Sequence, residues 1–171
     1  AGLFSWAPTF TDYGNYNVTF NVTNGIFTDN QTIQISVLDA NTAVLTYIGL
    51  PTPGNTISLL LSDYAASNKF YVVGLSTSSN PPFILSDGRA IPLTPNEIFL
   101  GSILIPSVFG LGNSVGLLNS AGNAIAIWTV PNIPAISNTT AYLSFVSLDI
   151  TKPIPQGIIS ISNAVQITIP P

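Results

Sequence analysis

Histidine, cysteine and methionine are all absent from this 171-residue chain. Without cysteine there is no disulfide framework, no thiolate nucleophile and no zinc site of the cysteine type. Without histidine, the side chain that most often serves as a general base is missing. These absences remove the commonest catalytic and metal-binding arrangements, so the sequence predicts a protein that is not an enzyme and uses no cofactor or metal.

Charged side chains are scarce. Only 6% of residues are charged, with three basic against seven acidic ones, whereas an ordinary soluble domain carries about 25%. Three basic residues cannot form a footprint for a phosphate backbone, which makes nucleic acid a poor partner. A surface built of Ser, Thr, Asn and backbone depends little on pH and suggests an acidic or otherwise harsh exterior. In the alternative interpretation, attached glycans provide the solubility.

Long hydrophobic runs are also missing, although 46% of residues are hydrophobic. The richest region, 101–118, is interrupted by Pro106, Gly110 and Gly112, and a membrane-spanning helix needs about 18 or more apolar residues in a row. We therefore expect no membrane span in the mature chain. A start at Ala1 without any methionine suggests that a secretory signal peptide has been removed, which predicts an extracellular protein.

Alternating apolar and polar residues dominate the chain. In 16–23, Val18, Phe20 and Val22 alternate with Asn and Thr, the pattern of a half-buried antiparallel strand, and Asn24-Gly25 then signals a turn. Further strands are expected at 32–38, 42–48, 56–61, 69–75, 97–105, 114–118, 123–130, 140–148, 157–161 and 165–169. Segment 123–130 is apolar on both faces, which predicts a central strand covered on both sides with Trp128 buried.

This succession of short strands predicts an all-β fold. Turn residues separate the strands at short intervals, as in a single Greek-key, immunoglobulin-like or jelly-roll-type β-sandwich. Helical periodicity is nearly absent, and only 63–68 is expected to form a single helical turn. We expect an N-terminal donor-strand segment at 1–12, followed by the sandwich domain at 13–171.

The N-terminus is unusually aromatic. Its large residues are Leu3, Phe4, Trp6, Pro8 and Phe10. From Phe4 onward they fall on one face of an extended segment, and the small residues between them fall on the other. Exposed aromatics would form a sticky patch, so the segment either packs on its own domain or completes the sheet of a neighbour by strand addition.

Four tripeptides satisfy the Asn-x-Thr acceptor pattern for N-linked glycans. They begin at Asn17, Asn21, Asn30 and Asn138. The first two lie on the polar face of one predicted strand, so both side chains should be exposed. We expect glycosylation of at least some of these sites in a secreted protein, and an unmodified polar strand face is the alternative.

Catalysis finds little support among the remaining residues. A glycosidase needs only two carboxylates, and the conceivable candidates are Asp63, Asp87, Glu97 and Asp149. Each is more naturally explained as a residue at a turn or at the edge of a strand. Lys69 and Lys152 are flanked by apolar residues, which leaves an intramolecular Lys–Asn isopeptide bond as a minor option.

Taken together, these features resemble the subunits of archaeal donor-strand filaments, the threads of Sulfolobales and the related bundling pili. The matching features are the start at Ala1, the aromatic β-segment from Leu3 to Phe10, the cysteine-free β-body and the Asn-x-Thr sites. The resemblance implies a homopolymer in which the N-terminal strand of each subunit inserts into a groove of the next. It further implies a glycosylated cell-surface appendage for adhesion or cell–cell contact.

Two other classes of structural protein remain open. One is a glycosylated monomeric or lattice-forming surface protein, such as an adhesin or a carbohydrate-binding module, which would pack its N-terminus on itself. The other is a viral structural protein with a jelly-roll body. The position of the N-terminal aromatics and the presence of an open groove would separate these alternatives.

Overall fold

The computed structural model describes residues 3–8, 12, 14–37 and 43–171, which belong to two compact units, Ala1–Ala40 and Asn41–Pro171. The expected domain boundary followed residue 12, whereas the contacts divide the chain after Ala40. The strand region 14–37, which was expected in the sandwich domain, therefore belongs to the same unit as the N-terminal segment.

The first unit contains a β-hairpin of β1 (Gly14–Thr23) and β2 (Thr28–Val37). The antiparallel register is unbroken over ten pairs, from Gly14 opposite Val37 to Thr23 opposite Thr28. The predicted turn is confirmed: Gly25 has φ +90°, and the Asn24 side chain accepts hydrogen bonds from the backbone N–H groups of Ile26 and Phe27. An Asn side chain that bonds the backbone in this way fixes a turn.

The second unit is rich in short strands. They are β3 (Val44–Ile48), β4 (Thr56–Ser62), β5 (Phe70–Ser76), β6 (Phe83–Ile84), β7 (Ala90–Ile91), β8 (Leu111–Gly112), β9 (Val115–Leu117), β10 (Asn123–Thr129), β11 (Thr140–Leu148), β12 (Ile158–Ile161) and β13 (Val165–Thr168). One α-helix, α1 (Glu97–Leu104), and three 3-10 turns, Tyr64–Ala66, Pro106–Phe109 and Pro134–Ile136, complete the described elements. The first of these turns confirms the helical turn predicted at 63–68.

Two sheets pack face to face. One has the strand order β3-β4-β10-β8, and the other has the order β12-β11-β5-β9 with β13 also paired to β11. The first sheet buries Leu45, Ile57, Leu59, Leu61 and Trp128, and the second buries Tyr71, Val73, Leu143, Phe145 and Ile167 in the same core. The alternation of buried and exposed residues along β4 is the period-2 pattern that this packing requires. The predicted all-β sandwich is confirmed.

A second, smaller core lies on the outer face of the second sheet. Phe99 of α1 and Leu93 pack there, over Gly74 in β5. An added Cβ on Gly74 would lie 3.1 Å from the Phe99 ring. The second sheet is therefore covered on both faces, by the first sheet and by α1 with the β6–β7 hairpin.

The segment 97–105 was predicted to be a strand and is the helix α1 instead. The Asn96 side chain accepts a hydrogen bond from the Phe99 backbone N–H, which caps the helix, and Glu97 adds an acidic residue in the first turn. The apolar run that follows is too short for periodicity to separate a helix from a buried strand. The capping residue was the signal that could have decided between them.

The prediction for β10 was half right. Trp128 is buried as expected and donates from its indole nitrogen to the Phe109 carbonyl oxygen at 3.0 Å. The opposite face was expected to be covered, but Ile125 there is 58% exposed. Within the second unit, no described element packs on Ile125 from this side.

Within the described residues, α1 is too short to cross a bilayer, and no other helix reaches the required length and apolarity either.

Candidate functional site

An apolar groove of about 610 Å³ opens at one end of the sandwich unit. It lies between the end of β5, the start of β11, the helical segment 98–109 and the segment 131–136. Its lining residues are Leu75, Ser76, Thr77, Ile98, Val108, Phe109, Trp128, Pro131, Ile133, Ile136, Thr139, Thr140, Ala141, Tyr142 and Ile169. None of them is charged, and most of them are apolar.

Two aliphatic side chains that line this groove are strongly exposed. Val108 is 71% exposed and Ile133 is 50% exposed, in contrast to the buried Trp128 beneath them. Phe109 takes part in the wall because Gly101 leaves room on α1: the Phe109 ring occupies the space where a Cβ would stand. The local sequence therefore builds an open apolar cleft where the sandwich core reaches solvent.

Among the described residues, no strand pairs with the groove end of β5 on the side of β9. β5 pairs with β9 only over Phe70–Val72, and farther along its edge the Ser102 hydroxyl replaces a strand. That hydroxyl accepts a hydrogen bond from the Leu75 N–H at 3.0 Å and lies 3.3 Å from the Leu75 carbonyl oxygen. A side chain from α1 thus satisfies a sheet edge that would otherwise be open to pairing.

The hairpin of the first unit has one polar face and one mainly apolar face. Register pairs Val18 with Ile33 and Tyr16 with Ile35 on the mainly apolar face. Toward the turn, the same face pairs Phe20 with Gln31 and Val22 with Asp29. This face is poorly covered, since Val22 is 71% exposed, Phe20 41% and Ile33 40%. The prediction that these side chains are buried against a core does not hold within the described unit.

The N-terminal aromatics contact this apolar face. The ring centroids of Phe4 and Phe20 lie 5.9 Å apart, and those of Trp6 and Tyr16 lie 4.7 Å apart. Both pairs pack edge to face. Residues 3–8 form no strand. The other predicted donor-strand residues are exposed, at Leu3 and Pro8, or lie outside the described residues, at Phe10. The segment thus packs partly on its own unit through Phe4 and Trp6.

Three of the predicted glycan acceptors share the polar face of the hairpin. Asn17 stands opposite Gln34, and Asn21 stands directly opposite Asn30. All three acceptor side chains are exposed, while the hydroxyls of Thr19 and Thr32 lie 2.7 Å apart across the ladder. The cross-strand pairing of Asn21 with Asn30 could not be read from the separate motifs.

The fourth predicted acceptor, Asn138, lies in the sandwich unit. It is exposed in the turn before β11 and has a positive φ of +61°. Its backbone N–H donates to the Ile169 carbonyl oxygen at 2.9 Å. The turn therefore holds the Asn138 backbone in place and leaves its side chain in solvent.

The four carboxylates considered for catalysis each have a structural role. Asp63 is fully buried and accepts a 2.6 Å hydrogen bond from the Ser147 hydroxyl, which in turn accepts from the Ser160 N–H. Glu97 begins α1. Asp87 holds Arg89 in a two-pronged ion pair, and the side-chain hydrogen bond from Arg89 lowers the pKa of the Asp87 carboxyl.

Asp149 is held by Thr151 and Lys69. The Thr151 hydroxyl donates to the carboxylate at 2.7 Å, and Lys69 Nζ lies 3.3 Å from it. These bonds lower the pKa of Asp149 to about 2, and the hydrogen bond from the Thr151 hydroxyl is the largest cause of the shift. Lys69 is 43% exposed in this ion pair and Lys152 is exposed, which is not the buried setting that an isopeptide bond needs. No group of three or more His, Cys, Asp or Glu residues in the described part of the chain is placed to hold a metal ion.

No protein-family profile and no curated protein sequence matches this chain.

Proposed function

We propose that this chain is the subunit of an extracellular filament, a pilus or thread, in which an N-terminal element of each copy docks into the apolar groove of the next. The supporting observation is the uncharged groove with exposed Val108 and Ile133 at the end of the sandwich. An apolar cleft of this kind is a liability in a monomer and a normal feature of an assembly surface.

Polymerisation follows because the two contacting surfaces of a copy are different. The groove and the aromatic N-terminal element are different patches of one chain, so the contact between copies is heterologous. Heterologous contacts that do not close into a ring propagate as a filament. A single subunit type is then sufficient to build a homopolymer.

The proposed donor residues are Leu3, Phe4, Trp6, Pro8 and Phe10. Burying a large apolar side chain stabilises a complex by about 1.5–3 kcal/mol before ordering costs, so three aromatics provide a substantial driving force. In the single chain Phe4 and Trp6 contact the hairpin. During assembly, Phe4 and Trp6 must therefore either leave the hairpin and contact the groove of the next copy, or stay in contact with the hairpin as both dock together.

The surface chemistry fits an appendage outside the cell. The exposed acceptors Asn17, Asn21, Asn30 and Asn138 would carry N-linked glycans that solubilise a polymer with few charges. The filament would present these glycans and its polar strand faces to other cells or surfaces, which supports a role in adhesion or cell–cell contact.

A glycosylated monomeric or lattice-forming surface protein is the second candidate. The ring contacts of Phe4 and Trp6 within their own unit favour it, because a self-packed N-terminus is what a monomer requires. A sugar-binding module has less support: Trp128 is only 2% exposed and offers no aromatic platform for a sugar.

Negative-stain electron microscopy of the native protein is the first test. Long, thin filaments that persist on boiling in denaturant are expected, whereas monodisperse particles would contradict the proposal. Deleting residues 1–10 should leave a folded protein that does not polymerise.

The groove is tested separately by Ile133→Asp, which places a charge in the groove wall and should prevent assembly. Ile150→Asp is the matched control, because Ile150 is 67% exposed and does not line the groove. If both variants form filaments as well as the wild type does, the groove is not the acceptor.

A further inference from the structure

We propose that the Asn163 side chain is an edge cap: it occupies the place of a neighbouring strand on β3 and prevents β3 of a second copy from pairing there. The inference goes beyond the proposed function, because it applies to a single chain as well as to a filament. It gives a residue outside the apolar groove a role in controlling self-association.

β3 is the edge strand of the first sheet. It pairs with β4 on one side, and among the described residues no strand pairs with it on the other. At Leu45, the Asn163 side-chain oxygen accepts a hydrogen bond from the backbone N–H at 2.9 Å, and the Asn163 amide nitrogen donates to the backbone carbonyl oxygen at 3.1 Å. One side chain thus makes both backbone hydrogen bonds that a residue of an added antiparallel strand would make.

The residue before Asn163 holds the cap in position. The Ser162 N–H donates to the Phe145 carbonyl oxygen at 2.9 Å, and the Ser162 hydroxyl accepts from the Phe145 N–H at 2.8 Å. These bonds fix the connection between β12 and β13 to β11 of the other sheet. Asn163 itself is exposed, so its amide contributes hydrogen bonds at the edge and little packing in the core.

The composition of β3 explains why a cap is needed. An open sheet edge is a template for pairing with another chain, and proteins commonly protect such edges with lysine, other charged residues or proline. The five residues of β3, VLTYI, include none of these, and Val44 and Ile48 are 48% and 64% exposed. Only three basic residues occur in the whole chain, so an uncharged amide is the form of protection that suits this composition.

The edge of the other sheet has a similar arrangement. At the groove end of β5, the Ser102 hydroxyl accepts a hydrogen bond from the Leu75 N–H at 3.0 Å and lies 3.3 Å from the Leu75 carbonyl oxygen. In each sheet, therefore, a single polar side chain contacts both backbone groups of one edge leucine. The repetition supports a role for these side chains in keeping strands of other molecules away.

The register of β3 predicts how two uncapped edges would pair. Tyr47 lies two residues beyond Leu45 and therefore directs its backbone N–H and C=O groups to the same side. Without Asn163, both positions could bond an antiparallel β3 of a second copy. Pairing that bonds both of them places Leu45 opposite Tyr47 and Thr46 opposite Thr46 of the second copy.

Cysteine cross-linking tests this inference, because the chain contains no cysteine and any disulfide must join introduced residues. Thr46 is exposed, and Thr46→Cys with Asn163 in place should give little covalent dimer on mild oxidation. Thr46→Cys/Asn163→Ala should give a dimer band on a non-reducing gel that is at least several-fold stronger and that reducing agent removes. Asn132→Ala in place of Asn163→Ala is the matched control, because it removes an exposed amide elsewhere in the same unit and should leave the dimer yield low.

Tyr47→Pro separates strand pairing from other kinds of association. Proline has no backbone N–H, and an edge strand tolerates it where the N–H faces away from the sheet. Added to Thr46→Cys/Asn163→Ala, it should abolish the covalent dimer while circular dichroism shows that the chain remains folded. A dimer that persists in this folded variant would overturn the inference, because the contact would not be strand pairing at β3.

Hydrogen exchange tests the cap without cross-linking. In the wild type, the Leu45 amide should be protected, and the Tyr47 amide on the same edge should exchange faster. In Asn163→Ala, the Leu45 amide should lose its protection. Equal protection of the Leu45 amide in the two chains would mean that Asn163 does not hold this edge.

The outcome does not depend on whether the wild type forms filaments. A Thr46 cross-link that appears only with Asn163→Ala supports the cap in filaments and in single particles alike. A strong cross-link with Asn163 in place, or none in Asn163→Ala, would overturn the inference and leave the proposed function untouched. Absence of filaments in the wild type would remove the proposed function and leave the cap intact.

Discussion

Asn21 and Asn30 stand directly opposite each other across the β1–β2 ladder. Side chains in this relationship have Cβ atoms about 4.5–5.5 Å apart, which leaves little room for two branched oligosaccharides on adjacent asparagines. We expect glycopeptide mass spectrometry of the native protein to find a glycan on one or the other residue of a given chain and rarely on both.

The competition between the two sites can be measured with variants. Asn30→Gln should raise glycan occupancy at Asn21, whereas Asn138→Gln, in the sandwich unit, should leave it unchanged. Native chains that mostly carry glycans on both Asn21 and Asn30 would contradict this expectation.

The faces of the N-terminal segment make a second prediction. Trp6 is the one residue of the described segment 3–8 that is partly buried, and its neighbour Ser5 is exposed. Trp6→Asp removes the ring contact with Tyr16 and places a charge on the apolar face, so it should reduce filament yield and length strongly. Ser5→Asp adds the same charge on the other face and should have little effect. Equal effects would mean that the face assignment is wrong.

Most of the sandwich could be predicted from sequence because period-2 alternation survives wherever one strand face is buried. The segments 56–61, 69–75 and 140–148 correspond closely to β4, β5 and β11. The helix α1 was missed because its apolar run suits either structure, and only the cap at Asn96 marks it. The apolar pattern of β10 also could not reveal that Ile125 is exposed, because coverage of a strand face depends on which other elements reach it.

The candidate site was less predictable than the fold. The groove combines residues from several separate stretches of the chain, from Leu75 to Ile169, and no local motif indicates that they meet. The hairpin was visible as two alternating strands and a turn. The sequence did not reveal that the hairpin belongs to a separate unit. Alternation shows that a strand face should be buried, but it does not show what covers that face.

Two glycines provide a matched test of packing in the sandwich unit. Gly122 and Gly88 both have positive φ, at +76° and +87°. A Cβ on Gly122 would collide with the Asp63 carbonyl group and lie 2.7 Å from the Tyr64 Cα, whereas a Cβ on Gly88 meets nothing within 4 Å. Gly88→Ala should lower the free energy of unfolding by about 1–2 kcal/mol, because alanine is strained in the left-handed backbone conformation.

Gly122→Ala should cost clearly more, because the turn must also move away from the buried Asp63 backbone. Thermal unfolding followed by circular dichroism checks the order, and each 1 kcal/mol corresponds to roughly 2–4 °C for a chain of this size. Equal melting temperatures for the two variants would mean that the turn at Gly122 adapts without strain.

Asp149 predicts how stability responds to acid. Its pKa of about 2 in the folded chain lies below the value of about 3.9 for an unfolded aspartate. Between these values the unfolded chain binds more protons, so the contribution of Asp149 is fully present above about pH 4 and is lost as the pH falls through 2. The melting temperature of Asp149→Asn should therefore be lower than that of the wild type at pH 5, and the difference should shrink steadily as the pH falls from 4 through 2.

Two variants separate the causes of this shift. Thr151→Val removes the hydroxyl that is the largest single cause of it. Replacing Asp149 by Asn should therefore lower the melting temperature less in the Thr151→Val background than in the wild type, in low and high salt alike. Lys69→Met removes an ion pair whose lysine is 43% exposed, so its smaller effect should disappear in 1 M salt, where the screening length is about 3 Å. A larger loss from Lys69→Met than from Thr151→Val at low salt would show that charge, and not the hydroxyl hydrogen bond, holds the carboxylate ionised.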